Sequence, residues 1–350
     1  MKRLARIAML SVSLAGLFGA LAPARAEGSI PAADWTAYKA KFVSPEGRVI
    51  DDANGHISHS EGQGYGLLLA VLAGDPATFD SIWTFTKTEL LLRDDGLAVW
   101  KWDPATTPHV SDSNNASDGD ILIAYAAALA GKAWGRDDLT EAATMMAKAL
   151  GALVIERQGR LLLLPGAAGY SAEERPDGPV INLSYWVFEA FPVLATLAPE
   201  TDWAKLAADG RTVLAQALFG PRKLPPEWLS VKTRPKPADG FPAEFGYNAL
   251  RIPLYLVRGG VTDPVLLGRL RDGMSGEDGS VSIVTLEAGT VKERLTDAGY
   301  TLIPALVSCV LDKTPVAPAL RTFTPTLYFP STLHLLALSF LSERHPECLP

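Results

Sequence analysis

Apolar residues recur at helical spacing through almost the whole chain, and this feature most narrows what it can fold into. They mark stretches at 33–43, 61–73, 76–92, 118–134, 137–155, 182–197, 201–217, 246–258, 263–272, 295–311 and 330–343. Only "GRLLLLPG" (159–166) and "GSVSIVTLEAGTV" (279–291) read as short strands or extended loops. A chain so patterned buries its apolar stripes helix against helix. Short connections alternate with long ones. The long ones, "DPATTPHVSDSNNAS" (103–117), "SAEERPDGPV" (171–180) and "KPADGFPAEFG" (236–246), are dense in turn residues. This alternation predicts stacked helix pairs, whose long loops collect on one face if the pairs close into a ring. Helix count alone does not distinguish a closed ring from an open solenoid.

The first 26 residues follow a different pattern. Lys2, Arg3 and Arg6 precede an apolar stretch, and Ala24-Arg25-Ala26 follows it. That is the layout of a secretory signal peptide, 1–26, ahead of a single domain, 27–350. The expected location is the periplasm or the medium. No later segment is long and apolar enough to span a bilayer. Removing Lys2, Arg3, Arg6 and Arg25 takes the net charge from −7 to −11. So acidic a protein is a poor nucleic-acid binder. Export permits a disulfide between the two cysteines, Cys309 and Cys348, but Cys309 sits in the apolar run "YTLIPALVSCVL" and reads equally as a buried thiol. The histidines show no ligand spacing, and two cysteines do not make a metal site. His56 and His59 read instead as serving the loop and helix start around Glu61. Nothing calls for a partner chain, so a monomer is expected.

Four stretches carry polar groups where helices begin. In "HSEGQGYG" (59–66) a carboxylate, Glu61, stands among three glycines directly before the apolar run "LLLAVLAG". Each glycine costs a helix up to about 1 kcal/mol relative to alanine. Gly62 and Gly66 fall on one face, where another helix or a substrate can approach the backbone. Ser60 reads as the N-cap, and Glu61 as a first-turn acid favoured by the helix dipole. In "NNASDGDILIAYAAALAGKAW" (114–134), Ser117 reads as the cap of a helix that opens with Asp118 and Asp120. Nearby "VWKWD" (99–103) supplies Trp100 and Trp102, suited either to core packing or to a sugar ring. "INLSYWVFEAF" (181–191) brings Asn182, Tyr185 and Trp186 together. In "FGYNALRIPLYL" (245–256), Tyr247, Asn248 and Arg251 interrupt an apolar run. A buried Arg251 needs a partner, and Asp118 or Glu61 can serve.

These blocks, in this order and over most of the chain, resemble glycoside hydrolase family 8, in particular its cellulases encoded with bacterial cellulose synthases. The most specific is A-S-D-G-D-x-x-I-A followed by Ala130 and Trp134; Ala127 departs, standing where a larger aliphatic is usual. The resemblance implies an all-α (α/α)6 barrel of six inner and six outer helices, with a substrate cleft at the loop-rich end. It implies an inverting endo-β-1,4-glucanase that acts on cellulose, serves cellulose synthesis and needs no metal or cofactor. Glu61 matches the general acid. Asp118 matches the carboxylate that binds and distorts the sugar beside the scissile bond. Tyr185 and Arg251 match polar residues at that subsite, and Trp102 resembles a stacking platform; Asn182, clustered with Tyr185, is read as a further substrate-binding residue. The glycines then let a bulky glucan approach a short, fixed carboxyl.

One position breaks the pattern. An inverting enzyme needs a second carboxylate, about 6.5–9.5 Å from the first, to take a proton from water. Many family members place an aspartate where this chain has Asn248. Asp239 and Glu244 are the nearest acids in sequence, and Asp118 is a third candidate. The competing reading is a weakened or non-catalytic periplasmic glucan-binding protein. Within the enzyme class, chitosan, xylan and mixed-linkage glucan remain alternative substrates.

Overall fold

Helices wind in pairs along the chain of the computed structural model, which describes residues 28–350. The expected leader, 1–26, lies outside the described residues. The helices are α1 (Ala32–Phe42), α2 (Ser60–Leu72), α3 (Pro76–Phe85), α4 (Ser117–Trp134), α5 (Asp137–Gly151), α6 (Phe191–Leu197), α7 (Trp203–Gln216), α8 (Arg251–Arg258), α9 (Pro264–Met274), α10 (Ala298–Asp312), α11 (Pro318–Arg321) and α12 (Tyr328–Arg344). The even-numbered ones form an inner ring. α2 packs on α4, α4 on α6 and the turn before it, that turn on α8, α8 on α10, α10 on α12, and α12 back on α2. The ring is therefore closed, an (α/α)6 barrel rather than a solenoid, and the odd-numbered helices lie outside it.

Sequence separates the two rings. In α2, every residue from Gly62 to Ala70 is buried, and α4 buries most of Ser117–Gly131. Such helices have no solvent face, which fits only a position enclosed by others. The outer α5 instead buries one stripe, Leu139, Ala143, Met146, Ala147 and Leu150, against α4. Each large apolar side chain in such a stripe contributes about 1.5–3 kcal/mol on burial.

Several helices start later or stop sooner than their periodicity suggests, because local hydrogen bonds win. The stretch 182–197 is helical only from Phe191. Before it, Asn182 turns its side chain onto the Ser184 backbone N–H at 3.0 Å, closing a one-turn 3-10 segment at Leu183–Tyr185. Pro192 then sits in the first turn of α6. The stretch 246–258 is helical only from Arg251. The α5 stretch ends at Gly151, and 295–311 starts at Ala298, because strands claim the flanking residues. α3 gives way at Thr86 to a π-turn, Thr86–Leu90.

The strands are short antiparallel pairings on this all-α frame: β1 (Ser58–His59), β2 (Lys101–Trp102), β3 (Val154–Arg157), β4 (Arg160–Leu163), β5 (Val180–Ile181), β6 (Leu229–Ser230), β7 (Lys236–Pro237), β8 (Glu244–Phe245), β9 (Val281–Thr285) and β10 (Val291–Leu295). They pair as β1–β2, β3–β4, β5–β6–β7 and β8–β9–β10. Both apolar runs read as possible strands, 159–166 and 279–291, contain one. Cys309 in α10 is bonded to Cys348, with Cα atoms 6.1 Å apart, which settles the alternative left open by sequence. No helix among the described residues is long and apolar enough to cross a membrane.

Candidate active site

The N-termini of α2, α4 and α8 meet at one end of the ring, and each delivers one charged side chain. Glu61 lies in the first turn of α2 and Asp118 in that of α4; Arg251 opens α8. Arg251 is fully buried. Its Nη1 lies 2.8 Å from Glu61 Oε2 and 2.9 Å from Asp118 Oδ2. Its Nη2 donates to Ser184 Oγ at 3.2 Å and Asn248 Oδ1 at 3.1 Å, and its Nε to the Asn248 carbonyl at 3.3 Å. Tyr185 and Tyr255 present their rings to the guanidinium at 5.7 and 5.9 Å. A buried cation so completely partnered is held in one orientation, and it fixes the two carboxylates in turn.

The caps differ from the sequence expectation. His59, not Ser60, caps α2, its Nδ1 accepting from the Gly62 N–H at 2.9 Å. That bond leaves the proton on Nε2, which faces Asp51 Oδ2 at 3.5 Å. Burial alone would lower the His59 pKa, but Asp51 and the charges of Glu61 and Asp118 raise it above the ordinary value. α4 begins at Ser117, with no side-chain cap.

Gly64 and Gly119 serve the packing of α2 on α4, whereas Gly66 faces Val49 and Ile82 and Gly62 faces the His59 and Tyr328 side chains. A Cβ on Gly64 would lie 2.5 Å from Leu122 Cβ and 3.1 Å from the Ile123 nitrogen. One on Gly119 would run into the Ser60 side chain and lie 2.7 Å from the Glu61 nitrogen. Bare backbone at both positions lets α2 and α4 come close enough for one guanidinium to hold both carboxylates.

Burial pushes Asp118 up to about 6; Glu61 adds to this, while Arg251 and the Gly119 N–H oppose it. Asp120, two residues further along α4, is pushed up to about 7 by burial although it accepts the Ala98 N–H and the Asn115 amide. It ties down the loop that carries Trp100.

A cavity of about 550 Å³ opens over this cluster. Glu61, Asp118, Tyr185 and Asn248 line it, with Trp100, Tyr247, Tyr300, Tyr328 and Phe329 as aromatic wall and Asp51 and His59 beyond Glu61. Aromatic faces beside converging polar groups suit the flat apolar side and the hydroxyl rim of a sugar.

Four expected residues stand elsewhere. Trp102 does not line the cavity: its Nε1 donates to Glu89 at 3.1 Å, and its ring packs on Phe85 and His109. Trp100 takes the wall instead. Asn182 is buried under its own turn, where it shapes the backbone before Tyr185. Asp239 is 69% exposed and paired with Lys236. Glu244, in β8, is paired with Lys292. Neither acid lines the cavity.

Glu227 is the acid that sequence reasoning missed. Its Oε1 accepts the Asn248 backbone N–H at 2.7 Å. Burial and the Glu244 charge raise its pKa against that bond. A Cβ on Gly246 would lie 2.6 Å from Glu227 Oε1, so the carboxyl is pressed against the 246–248 turn. The one clue in sequence is a lone acid inside the apolar, proline-rich run "KLPPEWL".

The model of Glycosyl hydrolases family 8 matches residues 9–266. A probable endoglucanase of Novacetimonas hansenii is 38% identical over 228 residues, which span 64% of this chain and 66% of that protein. An endoglucanase of Cellulomonas uda is 38% identical over 225 residues, 63% of this chain and 62% of that one. The aligned part is thus slightly under two thirds of these relatives' own length. Among solved structures, a family 8 endoglucanase from Klebsiella pneumoniae superposes with a TM-score of 0.80 at 31% identity, covering 89% of this chain and 100% of that one. An endo-β-1,4-glucanase from Acetobacter xylinum gives 0.78 at 32%, covering 89% and 98%.

Proposed function

The chain belongs to glycosyl hydrolase family 8, and we propose that it is an inverting endo-β-1,4-glucanase that cuts internal bonds of cellulose. One observation carries this reading: Glu61 stands on the wall of an aromatic cavity, its Oε2 locked by a buried arginine that also holds Asp118. Arg251 occupies one oxygen of Glu61 and leaves the other to meet a glycosidic oxygen. In this mechanism protonated Glu61 gives its proton to the leaving-group oxygen as the bond to C1 lengthens. Asp118 accepts hydrogen bonds from the hydroxyls of the distorted sugar. Its negative charge, close by, favours the positive charge that develops on the ring. Tyr185 packs beneath that sugar, and Asn248 faces the attacking water.

Asp118 fits the sugar-binding role better than that of base. Its Oδ2 and Glu61 Oε2 touch the same nitrogen, so they lie within about 6 Å of each other, short of the about 6.5–9.5 Å typical of an inverting pair.

The test is reducing-sugar release from carboxymethyl-cellulose, together with the anomeric form of the first product. The native chain releases the α-anomer. Glu61→Gln keeps the fold and loses about 10²–10⁴-fold in kcat. Glucan binding with no release by the native chain would favour the binding-protein reading; release from chitosan or xylan instead would reassign the substrate. The same proposal takes 1–26 as an export signal and 27–350 as one catalytic domain, working as a monomer in the periplasm or the medium. A role beside a cellulose synthase rests on the sequence resemblance, and cellulose yield from a strain lacking the chain tests it.

A further inference from the structure

A general acid must be aimed as well as held, and the side chain that fixes the turn carrying Glu61 is a histidine. We propose that His59, oriented by Asp51, is a positioning residue for Glu61: its unprotonated Nδ1 holds the first turn of α2, and proton uptake at that nitrogen lets the turn go. This inference rests on the proposed function and adds a pH-dependent latch to that site.

Three observations carry it. First, the cap is made by a nitrogen lone pair. His59 Nδ1 accepts the Gly62 N–H at 2.9 Å, one residue beyond Glu61. Serine, threonine, aspartate and asparagine, the preferred caps, offer an oxygen that stays an acceptor near neutral pH. An imidazole loses its acceptor on taking up a proton, because both ring nitrogens then donate. Second, the ring is fixed from behind. Asp51 Oδ2 lies 3.5 Å from Nε2, and Asp51 Oδ1 accepts the Ala53 N–H at 3.1 Å. His59 pairs with Lys101 across β1–β2, and the next residue, Ser60, donates its N–H to the Trp100 carbonyl at 3.0 Å. Third, the turn has no slack. A Cβ on Gly62 would lie 3.3 Å from His59 Cε1 and 3.2 Å from the buried Tyr328 hydroxyl. The Tyr328 ring meets the imidazole edge-on, with centroids 5.7 Å apart. His59 also lines the cavity, where solvent protons reach it.

With His59 neutral, Nε2–H is directed at Asp51 and Nδ1 keeps the Gly62 N–H. A proton from solvent on Nδ1 sets two donors face to face, and the cap bond breaks. Glu61 stands on the same turn, its Oε2 tied to Arg251 at 2.8 Å. A shift of that turn carries the other oxygen away from the glycosidic oxygen, and a misplacement of about 1 Å can cost a reaction about 10²-fold. The charged groups around the ring are Asp51 on the preceding loop, Glu61 on α2 and Asp118 on α4. Arg251 on α8 pairs with the last two, Lys101 on β2 pairs with Asp103 at 3.3 Å, and Tyr328 on α12 stays neutral. The carboxylates outweigh burial, so the ring takes up its proton more readily than an ordinary histidine does.

The test compares native, His59→Asn, His59→Ala and Asp51→Asn on a soluble cello-oligosaccharide from about pH 4 to 9, with thermal melting as the check on folding. Asparagine keeps an oxygen for the Gly62 N–H and does not titrate; alanine removes the cap. The kcat of His59→Ala should lie at least about tenfold below that of His59→Asn across the range, with KM differing less than about threefold. The acidic limb of the native pH–rate profile should move down by about one pH unit or more in His59→Asn, and by less in Asp51→Asn, where the ring loses one attracting charge. In the native protein without substrate, the imidazole ¹⁵N resonances of His59 should show Nδ1 bare above that limb and protonated below it. Equal kcat in the asparagine and alanine variants overturns the inference. So does a limb that stays in place in His59→Asn, or an Nδ1 that remains bare throughout it. A native chain that cleaves nothing defeats the glucanase reading and the role of Glu61 with it; the resonances, which need no substrate, tell that failure from a failure of the latch.

Discussion

Replacing Arg251 by methionine tests the electrostatic centre of the site most directly. The change keeps much of the buried volume and removes the one charge that Glu61 and Asp118 share, at 2.8 and 2.9 Å. Removing one member of a buried ion pair costs about 3–5 kcal/mol, because the charge left behind has no compensation. Here two carboxylates stay behind, within about 6 Å of each other, where like charges repel by a few kcal/mol at the effective dielectric of a protein. We expect a loss of about 4 kcal/mol near pH 8. The loss depends on pH in a definite direction. Asp118 titrates at about 6 in the native fold, already above its unfolded value, and without Arg251 it moves higher. A group whose folded pKa is raised contributes stability below its unfolded pKa, and that contribution is lost as pH rises through the folded value. The variant therefore recovers stability as Asp118 takes up its proton, and the deficit at pH 5 is about half that at pH 8. Urea unfolding at both pH values measures this. With an m-value of about 3 kcal/mol/M, the midpoint shifts by about 1–1.5 M at pH 8. A deficit below about 1 kcal/mol, or one equal at the two pH values, would refute the claim that Arg251 neutralises buried charge.

Asp120 titrates at about 7 in the fold, against about 3.9 when unfolded, so the native state binds more protons between these values and stability falls as pH rises through that window. Asp120→Asn should flatten the slope, as unfolding at pH 4.5, 6 and 7.5 would show. Gly119→Ala forces a methyl into Ser60 and the Glu61 backbone, so activity and melting temperature should both fall, whereas Gly268→Ala meets open space on α9 and should stabilise by up to about 1 kcal/mol. Cutting the Cys309–Cys348 link, which closes 39 residues, with serine at both positions should cost about 2–4 kcal/mol and leave KM unchanged. Trp100→Ala should raise KM several-fold and Trp102→Ala should not, because only the first lines the cavity; steady-state kinetics decide.

The helical repeat, the paired connections and three of the polar clusters were legible without coordinates, because each is a local property. A buried helix is apolar on every side, a carboxylate before an apolar run sits in a first turn, and an arginine in an apolar stretch requires an acid. Glu61, Asp118 and Arg251 were found by that logic, and they meet as it demanded. What the chain could not disclose was anything set by which backbone lies beside which. Trp100 and Trp102 are two residues apart and equally aromatic, yet the β1–β2 pairing and Glu89 hold Trp102 inward while Trp100 faces the cavity. Gly66 of α2 reads as room for a ligand, but Val49 and Ile82 fill that space, as α4 fills the space beside Gly64. Glu227 lies twenty-one positions before Asn248 and carries no periodic signal; only the fold of the 246–248 turn brings its carboxyl onto that backbone. Periodicity and local polarity are written along one chain, but a contact between distant segments is decided by packing, and packing exists only once the ring has closed.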